Sequence, residues 1–183
     1  LDQAIDFEPL GGHAAATAVS TYAARVGAEE LLAFCAAARK AGRRLVALWG
    51  SDERDRGNGA GFALHAAFDL PDGLACLTLP LAAEDPAFPD LAPIFPAANR
   101  MQRAVMDMIG AVPEGDGDRR PWLRHANWTA DYLPLRGDAG DAQFPTQNED
   151  YPFVRVEGDG VHEIAVGPIH AGIIEPGHFR FQC

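Results

Sequence analysis

Apolar residues recur along this chain with two different periods. Between Gly27 and Gly42, Leu31, Phe34, Cys35 and Ala38 fall at helical spacing and form one apolar stripe. Glu29 and Glu30 open that stretch and Arg39 and Lys40 close it, as the helix macrodipole favours. Gly42 suits the left-handed residue that follows a helix. Leu45–Trp49 is a short apolar run that predicts a buried strand. Phe62–Leu70 and Leu74–Leu81 predict two more strands. Pro71-Asp72-Gly73 between them predicts a hairpin turn in which Gly73 takes a positive φ. The helical period returns from Pro96 to Gly110, with Met101, Val105, Met108 and Ile109 as its core face. Ala14–Val19 reads as an edge strand.

From Val112 to Tyr151 the periodicity fades. Prolines and glycines punctuate the stretch, Trp122, Trp128 and Tyr132 are its anchors, and Arg119, Arg120 and Arg124 form a basic group. A stretch this long without periodicity is unusual inside a compact domain. It is expected to be an extended arm that packs along a neighbouring subunit or domain. Residues 138–152 read as an acidic linker. Phe153–Val156 and Val161–Val166, separated by Glu157-Gly158-Asp159-Gly160, predict a second hairpin. The fold class is therefore α+β: a mostly antiparallel sheet with two main helices on one face, then an extended arm and a C-terminal β-hairpin. The domains expected are 1–137, a linker over 138–152, and 153–183.

Composition narrows the function. The net charge is −11, so a phosphate backbone repels the chain and nucleic acid is excluded as a partner. Lys40 is the only lysine, which with the abundant alanine and glycine points to a GC-rich bacterial genome. Cys35, Cys76 and Cys183 show no CxxC spacing, which fits core residues in a reducing cytosol rather than a disulfide frame. No apolar run reaches the ~20 residues that span a bilayer, and the start lacks the pattern of a signal peptide. Gly57-Asn58-Gly59-Ala60-Gly61 lacks the spacing of a dinucleotide fingerprint, so no direct NADH binding is expected. Trp49 and Trp122 are expected in the core.

Two regions carry a resemblance. Phe95–Gly110 (FPAANRMQRAVMDMIG), Asp118–Trp128 (DRRPWLRHANW) and Tyr132–Asp138 (YLPLRGD) follow one another in the order of the thirty-kilodalton subunit family of respiratory complex I. The elements that carry it are Asp107-Met-Ile-Gly110, the Arg119-Arg120 turn and Pro134-Leu-Arg136. The helix departs from the family in having Gln102-Arg103-Ala104 where an acidic run is usual, which favours a divergent hydrogenase-type branch. Val166–Phe181 (VGPIHAGIIEPGHFRF) resembles the opening strands of the large subunit of complex-I-like membrane-bound nickel–iron hydrogenases and of the related quinone-site subunit of complex I. In hydrogenlyase-type relatives the two regions are fused in this order, so the sequence is expected to be a fragment of a longer redox subunit.

That resemblance implies a scaffold that docks a large subunit onto an iron–sulfur subunit, with membrane subunits as further partners. It implies a cytoplasmic location on the inner face of the membrane, reached through those partners. Iron–sulfur clusters, and nickel–iron in the hydrogenase branch, belong to the full assembly; no cofactor or metal is expected in this fragment, which should itself be inactive. His170 and His178 are its catalytic candidates in the full-length complex, His170 as a proton or hydrogen-bond donor to a reduced acceptor. The eight-residue spacing of His162, His170 and His178 does not suit zinc. Asp107, Arg119, Arg120, Arg136 and Arg180 are the docking candidates, the arginines as carboxylate clamps. Asp107 is also expected to have a specific partner, because a carboxylate near a helix C-terminus opposes the dipole. Open apolar surface and unpaired edges are expected to pair copies of the fragment. A stand-alone interaction module without redox chemistry and a quinone-reducing subunit remain the alternatives.

Overall fold

The computed structural model describes residues 5–9, 20–56, 61–115, 117–124, 128–141 and 154–183. The Ala14–Val19 strand, Phe153 and most of the 138–152 linker lie outside them. The chain divides into two units, Leu1–Asn148 and Glu149–Cys183.

In the first unit, β1 (Glu8–Pro9), β2 (Ser20–Arg25), α1 (Ala28–Lys40), β3 (Leu45–Asp52), β4 (Phe62–Leu70) and β5 (Gly73–Leu81) come first. β6 (Ala87–Pro89), α2 (Ala98–Ile109) and β7 (Val112–Glu114) follow. The main sheet runs β1-β2-β5-β4-β3. Three of its pairings are antiparallel; β2 and β5 pair in parallel. The fold is thus α+β, as the sequence predicts. β6 and β7 add a small parallel pair that no periodicity announces.

Alternation explains the core. Along β4, Phe62, Leu64, Ala66 and Phe68 share one face, and Ala75, Leu77, Leu79 and Leu81 of β5 continue it. The stripe of α1 (Leu31, Phe34, Cys35, Ala38) and Ala98, Val105 and Ile109 of α2 join the same apolar cluster. Both helices therefore cover one face. The Phe34 ring meets Phe68 edge-on at 5.0 Å. Glu30 caps α1 by accepting the Gly27 N–H at 2.7 Å, and Gly110 ends α2 at φ 75°.

Several expectations need correction. β3 is not a buried central strand but the edge of the sheet, with Val46 and Trp49 exposed. Trp122 is also partly exposed rather than core. On α2, Met101 and Met108 are only partly buried, whereas polar Gln102 and Asp107 are buried. Gln102 is satisfied there: its Oε1 accepts the Leu91 N–H at 2.7 Å and its Nε2 donates to Asp90 at 2.8 Å. Gly73 does not take a positive φ. It is required because a Cβ there would stand 2.0 Å from the Ser20 carbonyl of parallel strand β2. The Ser20–Arg25 strand itself carries too little hydrophobic alternation to be legible.

In the second unit the pairing is shifted along the chain. Residues 154–158 are not a strand; β8 (Glu163–Ala171) pairs instead with β9 (Ile173–Gln182), around Gly172 at φ 89°. The Gly167–Pro168 bond is cis. Val166 faces Phe179 and Ile164 faces Phe181, so four exposed apolar side chains share one side of the ribbon.

Gly73→Ala is expected to force β2 off β5. The cost is about 2 kcal/mol or more, a fall in Tm of roughly 4–8 °C by thermal denaturation. An unchanged Tm would show that the two strands do not approach as closely as described.

Candidate docking surface

The family-like segments converge on the outer side of α2. Asp107 is 5% exposed, and a single carboxylate oxygen, Oδ2, accepts the backbone N–H groups of Trp122, Leu123 and Arg124 at 2.7, 2.6 and 3.1 Å. Hydrogen bonds to a charged group contribute about 1.5–3 kcal/mol each. That outweighs the unfavourable dipole, worth about 0.3–1 kcal/mol. The expected specific partner of Asp107 is therefore the arm's own backbone. One turn earlier, Arg103 donates to the carbonyls of Arg120 and Pro121 at 2.7 and 2.8 Å. The guanidinium groups of Arg100 and Arg103 both lie over the Trp122 ring.

A second attachment holds the later arm. Arg136 donates to the Ile109 carbonyl at 2.8 Å, the Leu135 N–H donates to Met108, and the Gly137 N–H donates to Asp52 at 2.9 Å. Arg54 bridges Asp52 and Asp138, both at 2.6 Å. Arg54 and Arg136 each lie over the Phe62 ring. The Arg54 hydrogen bonds hold the Asp52 carboxyl well below the usual carboxylate range. The described arm thus folds back on its own unit, where the sequence places it along a neighbour.

The docking candidates divide accordingly. Asp107 and Arg136 are used inside the unit. Arg120 is exposed and pairs with Asp118, whose carboxyl it holds low. Arg119 is exposed. Arg180 belongs to the other unit and pairs with Glu163 at 2.6 Å. His170 and His178 also lie in that unit, both exposed; the His178 ring sits where a Cβ on Gly167 would be. No three His, Cys, Asp or Glu side chains among the described residues gather as metal ligands.

The arm and sheet edge leave an apolar surface open. Leu48, Trp49, Gly50, Ala104, Val105, Met108, Ile109 and Leu135 line a groove of about 90 Å³, and Leu135 is 53% exposed beside it.

A polar site that the sequence reading missed lies on the face of the sheet opposite the two helices. Ser51 Oγ donates to Glu53 at 2.6 Å and stands 2.8 Å from His65 Nε2; His65 Nδ1 stands 3.0 Å from Thr78 Oγ1. Because the serine proton goes to Glu53, Nε2 donates to Ser51; burial disfavours the charged imidazole, and in its neutral form Nδ1 accepts from Thr78. That wiring is the reverse of a serine activated by a base. Glu53, His65 and Thr78 border a cavity of about 480 Å³ with Arg25, Arg56, Asp6 and Glu8. The Trp49 ring stacks on His65 at 5.1 Å. The signal was alternation: His65 sits out of phase with Leu64 and Ala66 on β4, beside Ser51 and Thr78 on the flanking strands.

Two outcomes follow. Asp107→Ala is expected to cost about 3 kcal/mol or more and to release the arm. Limited trypsin digestion then cuts faster after Arg119 and Arg124, and an unchanged pattern would contradict the attachment. Burial pushes the His65 imidazole below its ordinary pKa of 6.5. The unfolded chain therefore takes up a proton first, and this group's stabilisation is present above about pH 6.5 and lost as pH falls through the folded value. His65→Gln is expected to flatten the fall in Tm between about pH 7 and pH 5; an unaltered slope would contradict it.

The chain's family match spans these segments. Residues 24–144 match the family described as "Respiratory-chain NADH dehydrogenase, 30 Kd subunit". The chain is 36% identical over 143 residues to "Hydrogenase-4 component G" of Escherichia coli (strain K12), covering 74% of this chain and 25% of that one. It is 35% identical over 149 residues to "Formate hydrogenlyase subunit 5" of the same organism, covering 77% of this chain and 26% of that one. It therefore spans about a quarter of the length of these relatives. Among solved structures, "Structure of the membrane-bound sulfane sulfur reductase (MBS), an archaeal respiratory membrane complex" shares the fold at a TM-score of 0.52 and 18% identity, covering 72% of this chain and 76% of that one. Among the described residues no helix is long and apolar enough to cross a membrane. With the family matched over more than half its length, the chain belongs to the family of the respiratory-chain NADH dehydrogenase 30 kDa subunit.

Proposed function

We propose that this chain is the docking and assembly domain of a larger redox-complex subunit of the membrane-bound hydrogenase or formate hydrogenlyase kind. The first unit is the scaffold. The second unit opens a large-subunit domain, and redox chemistry belongs to the rest of the assembly.

One observation carries the reading. Asp107, Arg103 and Arg136 fix the arm on α2, Asp52 ties it to β3, and Leu135 and Trp49 stay exposed at an apolar groove, with Val46 also exposed on β3. A surface held this firmly and left this apolar suits contact with another protein. Two relatives about four times the length of the matched segment support a domain within a longer subunit. The β8–β9 ribbon supports it too. An isolated two-stranded hairpin is marginal in water, and one side of this ribbon presents Ile164, Val166, Phe179 and Phe181. In this reading the ribbon is packed against further protein, and His170 and His178 acquire roles there. Iron–sulfur clusters, and nickel–iron in the hydrogenase branch, reside on that protein and on partner subunits. Membrane subunits of the same complex hold the domain at the cytoplasmic face.

The test is to express the full reading frame together with its neighbouring subunits, purify it by a tag, and determine metals and co-purifying subunits. An iron–sulfur subunit with nickel and iron is expected. Iron without nickel would move the assignment to a quinone-reducing subunit. Recovery of the chain with neither metal nor iron–sulfur subunit would overturn the docking reading.

A further inference from the structure

The edge strand β3 gives the docking surface a specific mode of engagement. The Glu53 N–H bonds the Gly61 carbonyl at 3.1 Å, in register with the Asp52–Phe62 pairing of β3 with β4. Antiparallel strands alternate their bonding residues, so Trp49 and Ser51 also bond β4, whereas Leu48, Gly50 and Asp52 turn N–H and C=O away from it. Among the described residues no backbone hydrogen bond reaches those outward groups, and β3 pairs with no second strand.

Sheet proteins ordinarily blunt such an edge with charge, proline or a bulge. β3 has one irregularity, between Leu45 and Ala47, and beyond it the edge runs regularly to Asp52. From Leu45 to Gly50 it carries no charged residue and no proline. Both sides of the edge are apolar. Trp49 stands on the face opposite the helices, 43% exposed. On the helix-covered face, Ala104, Met108 and Leu135 wall the groove beside Leu48 and Gly50. Gly50 has no room for a side chain of its own, since a Cβ there would lie 2.4 Å from Ile109. The groove's size suits one branched aliphatic side chain.

We propose that β3 is extended by a strand from a partner subunit. That strand bonds the outward groups of Leu48 and Gly50, places one aliphatic side chain in the groove, and lays the next residue against Trp49. Alternate side chains of an added strand fall on opposite faces, as this pairing of groove and tryptophan requires. The partner's segment is neutral or basic. A chain with a net charge of −11 repels its own copies, which disfavours a second copy as the occupant. The inference rests on the docking reading and names the contact that makes it.

The test is residue-resolved hydrogen exchange on the full-length chain, alone and in the purified assembly with its iron–sulfur subunit. The Leu48 and Gly50 amides are expected to exchange at least about 100-fold more slowly in the assembly, with the Trp49 and Ser51 amides, already bonded to β4, changing less. A stable assembly in which the Leu48 and Gly50 amides exchange as in the free chain would overturn strand addition and leave docking intact. Failure to form an assembly would sink docking itself, and strand addition with it. Protection that rises with concentration in the chain alone would assign the edge to a second copy and overturn the partner strand. As a second measurement, Leu135→Asp is expected to weaken co-purification at least about tenfold with the Tm of the isolated chain nearly unchanged. Undiminished co-purification would count against the groove as an anchor.

Discussion

One carboxylate organises the side of this protein that faces outward. Asp107 lies in the last turn of α2, where the helix dipole disfavours it, and burial adds a desolvation cost. Three backbone N–H groups converge on its Oδ2 and offset both. This interaction turns a segment with no regular secondary structure into part of the fold. Trp122 is placed under Arg100 and Arg103, and the chain is directed toward the second attachment, where Arg136, Gly137 and Asp138 meet Ile109, Asp52 and Arg54. At that second attachment the Leu135 N–H itself donates to the Met108 carbonyl, which fixes Leu135 beside the sheet edge.

The segments flanking α2 explain why polar residues lie in its buried face. Gln102 holds the loop before α2 through Leu91 and Asp90, while Asp107 holds the loop after it. α2 is therefore amphipathic in an uncommon sense: part of its buried surface binds backbone rather than hydrocarbon. A buried carboxylate with three donors is specific in a way that apolar packing is not, because shifting the arm by one residue would break the set. The two cation–π contacts on Phe62 and the Asp52–Arg54–Asp138 bridge extend the same principle to the far end.

How much of this was legible in the sequence differs by element. α1 and the β4–β5 hairpin were plain, because their apolar periods are strong and their ends carry caps and turn residues. β2 was hidden by Ala23 and Ala24, which blur alternation. β3 read as buried because its apolar run cannot distinguish a central strand from an uncharged edge. The C-terminal hairpin forms one strand later than the sequence predicts. Both Asp159-Gly160 and Gly172 are turn signals, and only pairing decides between them. At the surface, the sequence singled out Asp107 and Arg136 but not what they bind, since their partners are backbone groups far along the chain. His65 escaped notice altogether: its partners Ser51 and Thr78 come from neighbouring strands, a proximity that register creates and spacing does not reveal.

The functional account depends on the arm and β3 together presenting a contact surface to another subunit. Site-specific photo-crosslinking in the full-length assembly tests this most directly, with a benzophenone amino acid placed at Leu135 and, as a comparison, at Lys40 at the end of α1. The account predicts a crosslink to a partner subunit from position 135 and little from position 40. Crosslinks from position 40 with none from position 135 would contradict it.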